Sequence, residues 1–120
     1  NANLKVEGYS QVFWSGLTTI ELGKFIVWVI NKPISGLVHA TNEQKISKLE
    51  LLRMINDVFD LKCEIAENSI QGSDKSLKQT QILDYEFSGY KEMLLDLKSW
   101  IKEVKSNYSD DNNDYNILTE

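Results

Sequence analysis

The chain has 120 residues, of which 42% are hydrophobic, and this supports the modest core of one small domain. Its formal net charge of −5 excludes the basic surface on which nucleic-acid binding depends. Residues 110–120 hold four acidic residues and no basic one, and without them the chain is nearly neutral. No apolar run approaches the roughly 20 residues that a membrane-spanning helix needs. We therefore expect one domain over 3–108 and a flexible acidic tail over 109–120.

The first predicted helix begins at a capping box. Thr18 can accept the backbone N–H of Glu21, whose side chain can reach back to it. The helix should run from about Thr19 to Asn31, because Pro33 pushes the residue before it out of the helical region. The longest apolar run of the chain, FIVWVI over residues 25–30, falls inside this segment and predicts a buried helix.

Two further helices are predicted later in the chain. Ser47 and Glu50 repeat the capping box, so the second helix should run from Lys48 to about Phe59. The third should begin near Ser88 and end near Asn107. Its apolar stripe is formed by Tyr90, Leu94, Leu97, Ile101 and Val104.

Three short segments are β-rich: Gln11–Trp14 before the first helix, and Gly36–Ala40 and Lys62–Glu67 between the helices. The last two flank the second helix, which favours a right-handed crossover and a parallel pair. The predicted fold class is therefore α/β, with two or three short strands, one parallel pair and three main helices. So small a layer covers both of its faces poorly, and it is typical of a piece that packs on something larger. Residues 68–88 form the one long irregular stretch, and such loops are often functional.

Motifs of known chemistry are largely absent from the sequence. There is no glycine-rich nucleotide loop, and the only histidine, His39, lies in the predicted second strand, where we expect a packed or hydrogen-bonded role. Cys63 is the only cysteine, so no internal disulfide can form, and we expect a buried structural thiol in a reducing cytoplasm. No metal site, cofactor site or catalytic residue is predicted.

Two segments of the sequence are candidates for ligand binding. Trp14-Ser15-Gly16 lies between a strand and a capped helix, where an aromatic face and helix N–H groups can meet a ring and an anion. The structural alternative is that Trp14 belongs to the core and Gly16 only makes the turn. Lys75 lies in the long loop and can meet a phosphate as a point charge, although an exposed loop lysine often has no such role.

Four segments together resemble the dTDP-4-dehydrorhamnose reductase family of extended short-chain dehydrogenase/reductases. They are FWSGLTTIELGKFI at 13–26, ISGLVHATNEQKISKLELLRMINDVF at 34–59, DKSL at 74–77 and GYKEMLLDLKSWI at 89–101. Each is moderately specific alone, and the four follow the family's order. The resemblance spans roughly residues 6–105 and is to the family's C-terminal, substrate-binding domain.

This resemblance implies a partial domain of a larger enzyme. The parent would bind NAD(P)H in an N-terminal Rossmann half and reduce a 4-keto sugar nucleotide, as in dTDP-rhamnose biosynthesis. Trp14, Ser15 and Lys75 would face the nucleotide-sugar cleft, although Lys75 stands where the family often has Arg. The partners implied are a nucleotide sugar and the missing Rossmann half, with no nucleic acid and no membrane.

The sequence also departs from the family. It has no Rossmann glycine motif, and none of its five tyrosines is followed four residues later by a lysine. We therefore expect this chain alone to be inactive and to bind no cofactor. Three alternatives stay open: a fragment of a nucleotide-sugar epimerase, a non-catalytic regulatory or interaction module of the same fold, and a free-standing small binding protein.

Overall fold

The computed structural model describes residues 4–70 and 72–107, so the predicted tail over 109–120 lies outside the described residues. In chain order the elements are β1 (Lys5–Tyr9), β2 (Val12–Trp14), α1 (Thr19–Ile30), β3 (Ile46–Ser47), α2 (Lys48–Phe59), β4 (Glu64–Asn68), β5 (Ser73–Lys75) and α3 (Tyr90–Asn107). The α/β class with three helices is confirmed. No helix within the described ranges is long and apolar enough to cross a bilayer.

Local capping interactions set the helix starts, as predicted. The hydroxyl of Thr18 accepts the backbone N–H of Glu21 at 3.2 Å, and Ser47 does the same for Glu50 at 3.1 Å. α2 has the predicted bounds, and its C-cap is Asp60, which adopts the left-handed conformation. The Glu21 side chain differs from the prediction, because it turns away from the cap and accepts the backbone N–H of Ser88 at 2.9 Å.

The strands form two small sheets. β1 and β4 make a parallel pair in which Val6 lies opposite Ile65, and the second sheet has the order β3-β2-β5. In that sheet β2 is antiparallel to β3 and parallel to β5. β2 and β4 match predicted segments, whereas β1, β3 and β5 were not predicted. A parallel pair is present, but the predicted pairing of Gly36–Ala40 with Lys62–Glu67 is wrong.

Residues 36–40 are not a strand, because glutamine side chains occupy part of their backbone edge. The Gln79 side chain accepts the N–H of His39 and donates to its carbonyl, and Gln81 Nε2 donates to the carbonyls of Ser35 and Leu37 at 3.0 and 2.9 Å. Side-chain amides from the later loop thus replace the ladder of a neighbouring strand. His39 is half-buried within this arrangement.

Two hydrophobic clusters join α2 and α3. The first contains Val58, Phe59, Leu94 and Ile101, and the second contains Ile46, Tyr90 and Met93 with Trp14 packed against them. Gly8 allows α2 to lie close to β1, since a Cβ there would be 2.9 Å from the Cα of Leu49. Cys63 lies just before β4 and is half-buried, so the prediction of a buried strand cysteine is wrong.

The helix predicted to be buried, α1, is covered on one side only by the described residues. Phe25 is buried in an aromatic cluster, whereas Val27 and Ile30 are 65% and 73% exposed. A helix that is apolar all round needs cover on both sides, and here the second side is open. The molecule measures 48 × 45 × 18 Å and has a radius of gyration of 16.7 Å. This radius of gyration exceeds the roughly 13 Å of a compact domain of about this length.

Candidate functional site

The structure brings two of the three predicted site residues side by side. Trp14 ends β2, Lys75 ends β5, and they are direct partners in the parallel register. Adjacent strands lie about 4.8 Å apart, so the two side chains leave neighbouring points of the same sheet edge. Trp14 is half-buried and Lys75 is exposed. A ligand lying along this edge can meet an aromatic ring and a cation together.

The Trp14 ring explains why glycine follows two residues later. A Cβ at Gly16 would lie 2.1 Å from Cζ2 of Trp14, so the ring folds directly over the Gly16 backbone. The backbone N–H of Gly16 donates to the Tyr90 hydroxyl at 3.3 Å, and the Trp14 and Tyr90 rings are 6.1 Å apart. Trp14 is therefore anchored by the core on one side. Its remaining surface lines an apolar hollow of about 380 Å³, which Tyr9 and Leu51 also line.

Ser15 lies beneath this edge and presents almost no surface, since it is only 4% exposed. Its hydroxyl accepts the backbone N–H of Leu77 at 2.7 Å and the Thr41 hydroxyl at 3.1 Å, and it donates to the Leu77 carbonyl at 3.4 Å. All of its hydrogen-bonding capacity is thus used within the chain. Ser15 holds the segment that follows Lys75 in place.

The charged groups beside Lys75 pair with one another and leave its ammonium group available to a ligand. Asp74 accepts both the backbone N–H and the hydroxyl of Ser76, and Lys45 lies 3.5 Å from its second oxygen. These hydrogen bonds with Ser76, with a smaller contribution from Lys45, lower the pKa of the Asp74 carboxyl. Lys45 thereby balances Asp74, and Lys75 makes no ion pair with any residue of the described ranges.

A second hollow, of about 550 Å³, was not predicted from the sequence. It lies between the turn over residues 41–44 and the loop over residues 79–87. The polar character of QTQILDYEF was visible in the sequence, but its apposition to the turn depends on contacts between distant parts of the chain. Within the described residues, no group of three or more His, Cys, Asp or Glu is placed to hold a metal ion.

Comparisons with known proteins give a match in structure alone. No protein-family model and no curated protein matches the chain. The chain is similar to the 1.9 Å crystal structure of dTDP-4-dehydrorhamnose reductase from Yersinia enterocolitica, with a TM-score of 0.56 and 22% sequence identity. This likeness covers 77% of the chain and 36% of that reductase. It shows a shared fold, and the chain spans about a third of the reductase's length.

Proposed function

We propose that the chain is the substrate-binding part of a nucleotide-sugar reductase resembling dTDP-4-dehydrorhamnose reductase. The observation that carries the proposal is the pairing of Trp14 with Lys75 at the exposed end of β2 and β5. The structural likeness supports it, because it extends over most of this chain and over a minor part of the reductase.

Each of the three site residues has a distinct role in this proposal. Trp14 offers the flat face on which the nucleobase stacks, and its apolar hollow has a volume suited to a small ring system. Lys75 neutralises the diphosphate as a point charge. Ser15 positions the Lys75 strand by holding Leu77, and it makes no direct contact with the ligand.

The open face of α1 supports a second part of the proposal, in which a cofactor-binding half packs there. Ile26, Val27 and Ile30 expose apolar surface on consecutive turns, and Leu37 is 68% exposed. That half would bind NAD(P)H and supply the proton donor for reduction of the keto-sugar, in the reducing cytoplasm that the free thiol of Cys63 suits. This chain would contribute only substrate binding.

Binding of dTDP to the 120-residue chain tests the site. Titration calorimetry should detect dTDP, and Lys75→Ala should weaken the affinity about tenfold because one charged contact is lost. Lys78→Ala is the matched control, since Lys78 is an exposed lysine in the same loop. Absence of dTDP binding, or equal loss in both variants, refutes the assignment. NADPH should show no saturable binding at micromolar concentration.

The coding sequence upstream of residue 1 should show whether the proposed cofactor-binding half is encoded there. The proposal requires a glycine-rich dinucleotide motif there, followed by a Tyr-x-x-x-Lys pair. An upstream Rossmann fold without that tyrosine would favour a regulatory module. A coding sequence with no domain upstream of this chain would favour a free-standing binding protein.

A further inference from the structure

The larger hollow has two walls formed by segments distant in sequence. Its volume of about 550 Å³ is in the range of small-molecule sites. The turn over residues 41–44 forms one wall, and the loop over residues 79–87 forms the other. Neither Trp14 nor Lys75 lines it. It is therefore separate from the edge assigned above to the nucleotide.

The first wall is held from beneath. Thr41 is 1% exposed, donates to Ser15 and accepts the backbone N–H of Glu43 at 3.1 Å. The Tyr90 hydroxyl donates to the carbonyl of Gln44. These bonds fix the backbone of the turn, while the Gln44 side chain stays exposed.

The second wall is held by an aromatic cluster and by one buried carboxylate. Tyr85 and Phe87 lie 5.2 and 4.9 Å from the Phe25 ring, measured between centroids. The Glu21 carboxylate accepts the backbone N–H of Ser88 at 2.9 Å, directly after the loop. The loop that lines the cavity is thus preformed, and this lowers the conformational entropy lost when a ligand binds.

The lining groups select a particular ligand chemistry. Gln44 supplies an amide that both donates and accepts, while Glu43 and Glu86 supply carboxylates that accept. In the described part of the chain these three side chains make no hydrogen bond or ion pair with other residues, so a ligand can use them. The Tyr85 ring adds an apolar face beside them.

Charge argues against an anionic ligand. None of the described residues that line the cavity is Lys, Arg or His, and two carry carboxylates. A phosphate placed here would be repelled and would find no charged donor. Vicinal hydroxyl groups fit, because each can donate to a carboxylate and accept from an amide, while the C–H face of a pyranose ring packs on Tyr85.

We propose that this cavity is a binding site for a neutral hexose ring. The proposal goes beyond the nucleotide edge at Trp14 and Lys75, and it does not depend on it. The sugar is recognised through Gln44, Glu86 and the Tyr85 ring, with Glu43 at the rim.

Nuclear magnetic resonance of the ¹⁵N-labelled 120-residue chain tests the proposal. Methyl α-D-glucopyranoside and methyl α-L-rhamnopyranoside are the probes. At least one should shift the side-chain amide of Gln44 and the backbone amides of Gln44 and Glu86, with saturation at millimolar concentration. Inorganic phosphate should leave these signals in place.

Variants separate recognition from folding. Gln44→Ala and Glu86→Ala should each weaken the glycoside at least fivefold without lowering the unfolding midpoint, since both side chains are exposed. Glu92→Ala, which removes an exposed carboxylate from α3, is the control and should bind normally. The proposal is overturned if neither glycoside gives a saturable shift at Gln44, if phosphate gives the same shift, or if Glu92→Ala weakens binding equally. The glycoside results do not depend on whether Lys75→Ala loses dTDP binding. Failure of one proposal therefore leaves the other standing.

Discussion

The Ser15 hydroxyl accepts the backbone N–H of Leu77 across 62 positions of sequence, at a distance of 2.7 Å. The same oxygen accepts the Thr41 hydroxyl at 3.1 Å. One buried side chain thus connects the sheet edge at Trp14 and Lys75, the loop after β5 and the turn over residues 41–44.

Ser15→Ala should destabilise the chain by about 1–3 kcal/mol, because buried polar partners lose their hydrogen bonds. Urea denaturation measures the change. Ser35→Ala is the control, since Ser35 is exposed and receives its bond from Gln81 through its backbone carbonyl. A Ser15→Ala midpoint equal to that of the parent chain would show that water replaces these bonds.

Gly16→Ala should also be destabilising, by about 1–3 kcal/mol, because the added methyl group overpacks the Trp14 ring. Gly23→Ala provides the opposite case. A Cβ there meets nothing within 4 Å and lies inside α1, so the substitution should stabilise the chain by about 0.5–1 kcal/mol. Opposite shifts of the two melting temperatures are expected, and shifts of the same sign contradict the packing described for Trp14.

Ser47→Ala should cost roughly 1 kcal/mol, the usual loss when an N-cap hydroxyl is removed. Ser99→Ala, at an exposed position inside α3, is the matched control and should be neutral or slightly stabilising. Equal midpoints for the parent chain and Ser47→Ala would mean that another group caps α2.

The chain should lose stability in alkaline solution through Tyr85. Burial, aided by the nearby Glu21 carboxylate, raises the pKa of the Tyr85 phenol above its ordinary value of 10.0. The folded state therefore retains the proton longer than the unfolded state. This contribution is fully present below about pH 10 and is lost as pH rises through the folded pKa. Tyr85→Phe, which removes the titrating group, should show a smaller fall in unfolding free energy between pH 9 and 11. An identical fall in both proteins would exclude Tyr85 as the cause.

Substitutions on the open face of α1 should cost little unfolding free energy, whereas truncation of its buried face should cost much more. Ile30→Lys, at a position 73% exposed, should change the unfolding free energy by no more than about 0.5 kcal/mol. Phe25→Ala should cost about 3–5 kcal/mol, because it empties a buried aromatic site.

Sedimentation should also show less self-association for Ile30→Lys, since the apolar patch is interrupted. A large loss of stability in Ile30→Lys would show that the face is covered within this chain.

The three helices and the α/β class could be predicted from local sequence patterns. A capping hydroxyl and the amide that it accepts lie three residues apart, so Thr18 and Ser47 marked their helix starts without knowledge of the rest of the chain. The sequence also indicated Trp14 and Lys75 as candidate site residues, but not their pairing across two strands.

Strand pairing, side-chain partners and the cover of α1 depend on contacts between distant parts of the chain and could not be predicted. Strand pairing places β4 on β1 and leaves residues 36–40 to the amides of Gln79 and Gln81, which no local pattern encodes. The same applies to Glu21, whose predicted capping contact is replaced by a bond to Ser88. α1 has the composition of a buried helix, yet burial depends on which neighbours are present, and the described residues cover only one of its sides.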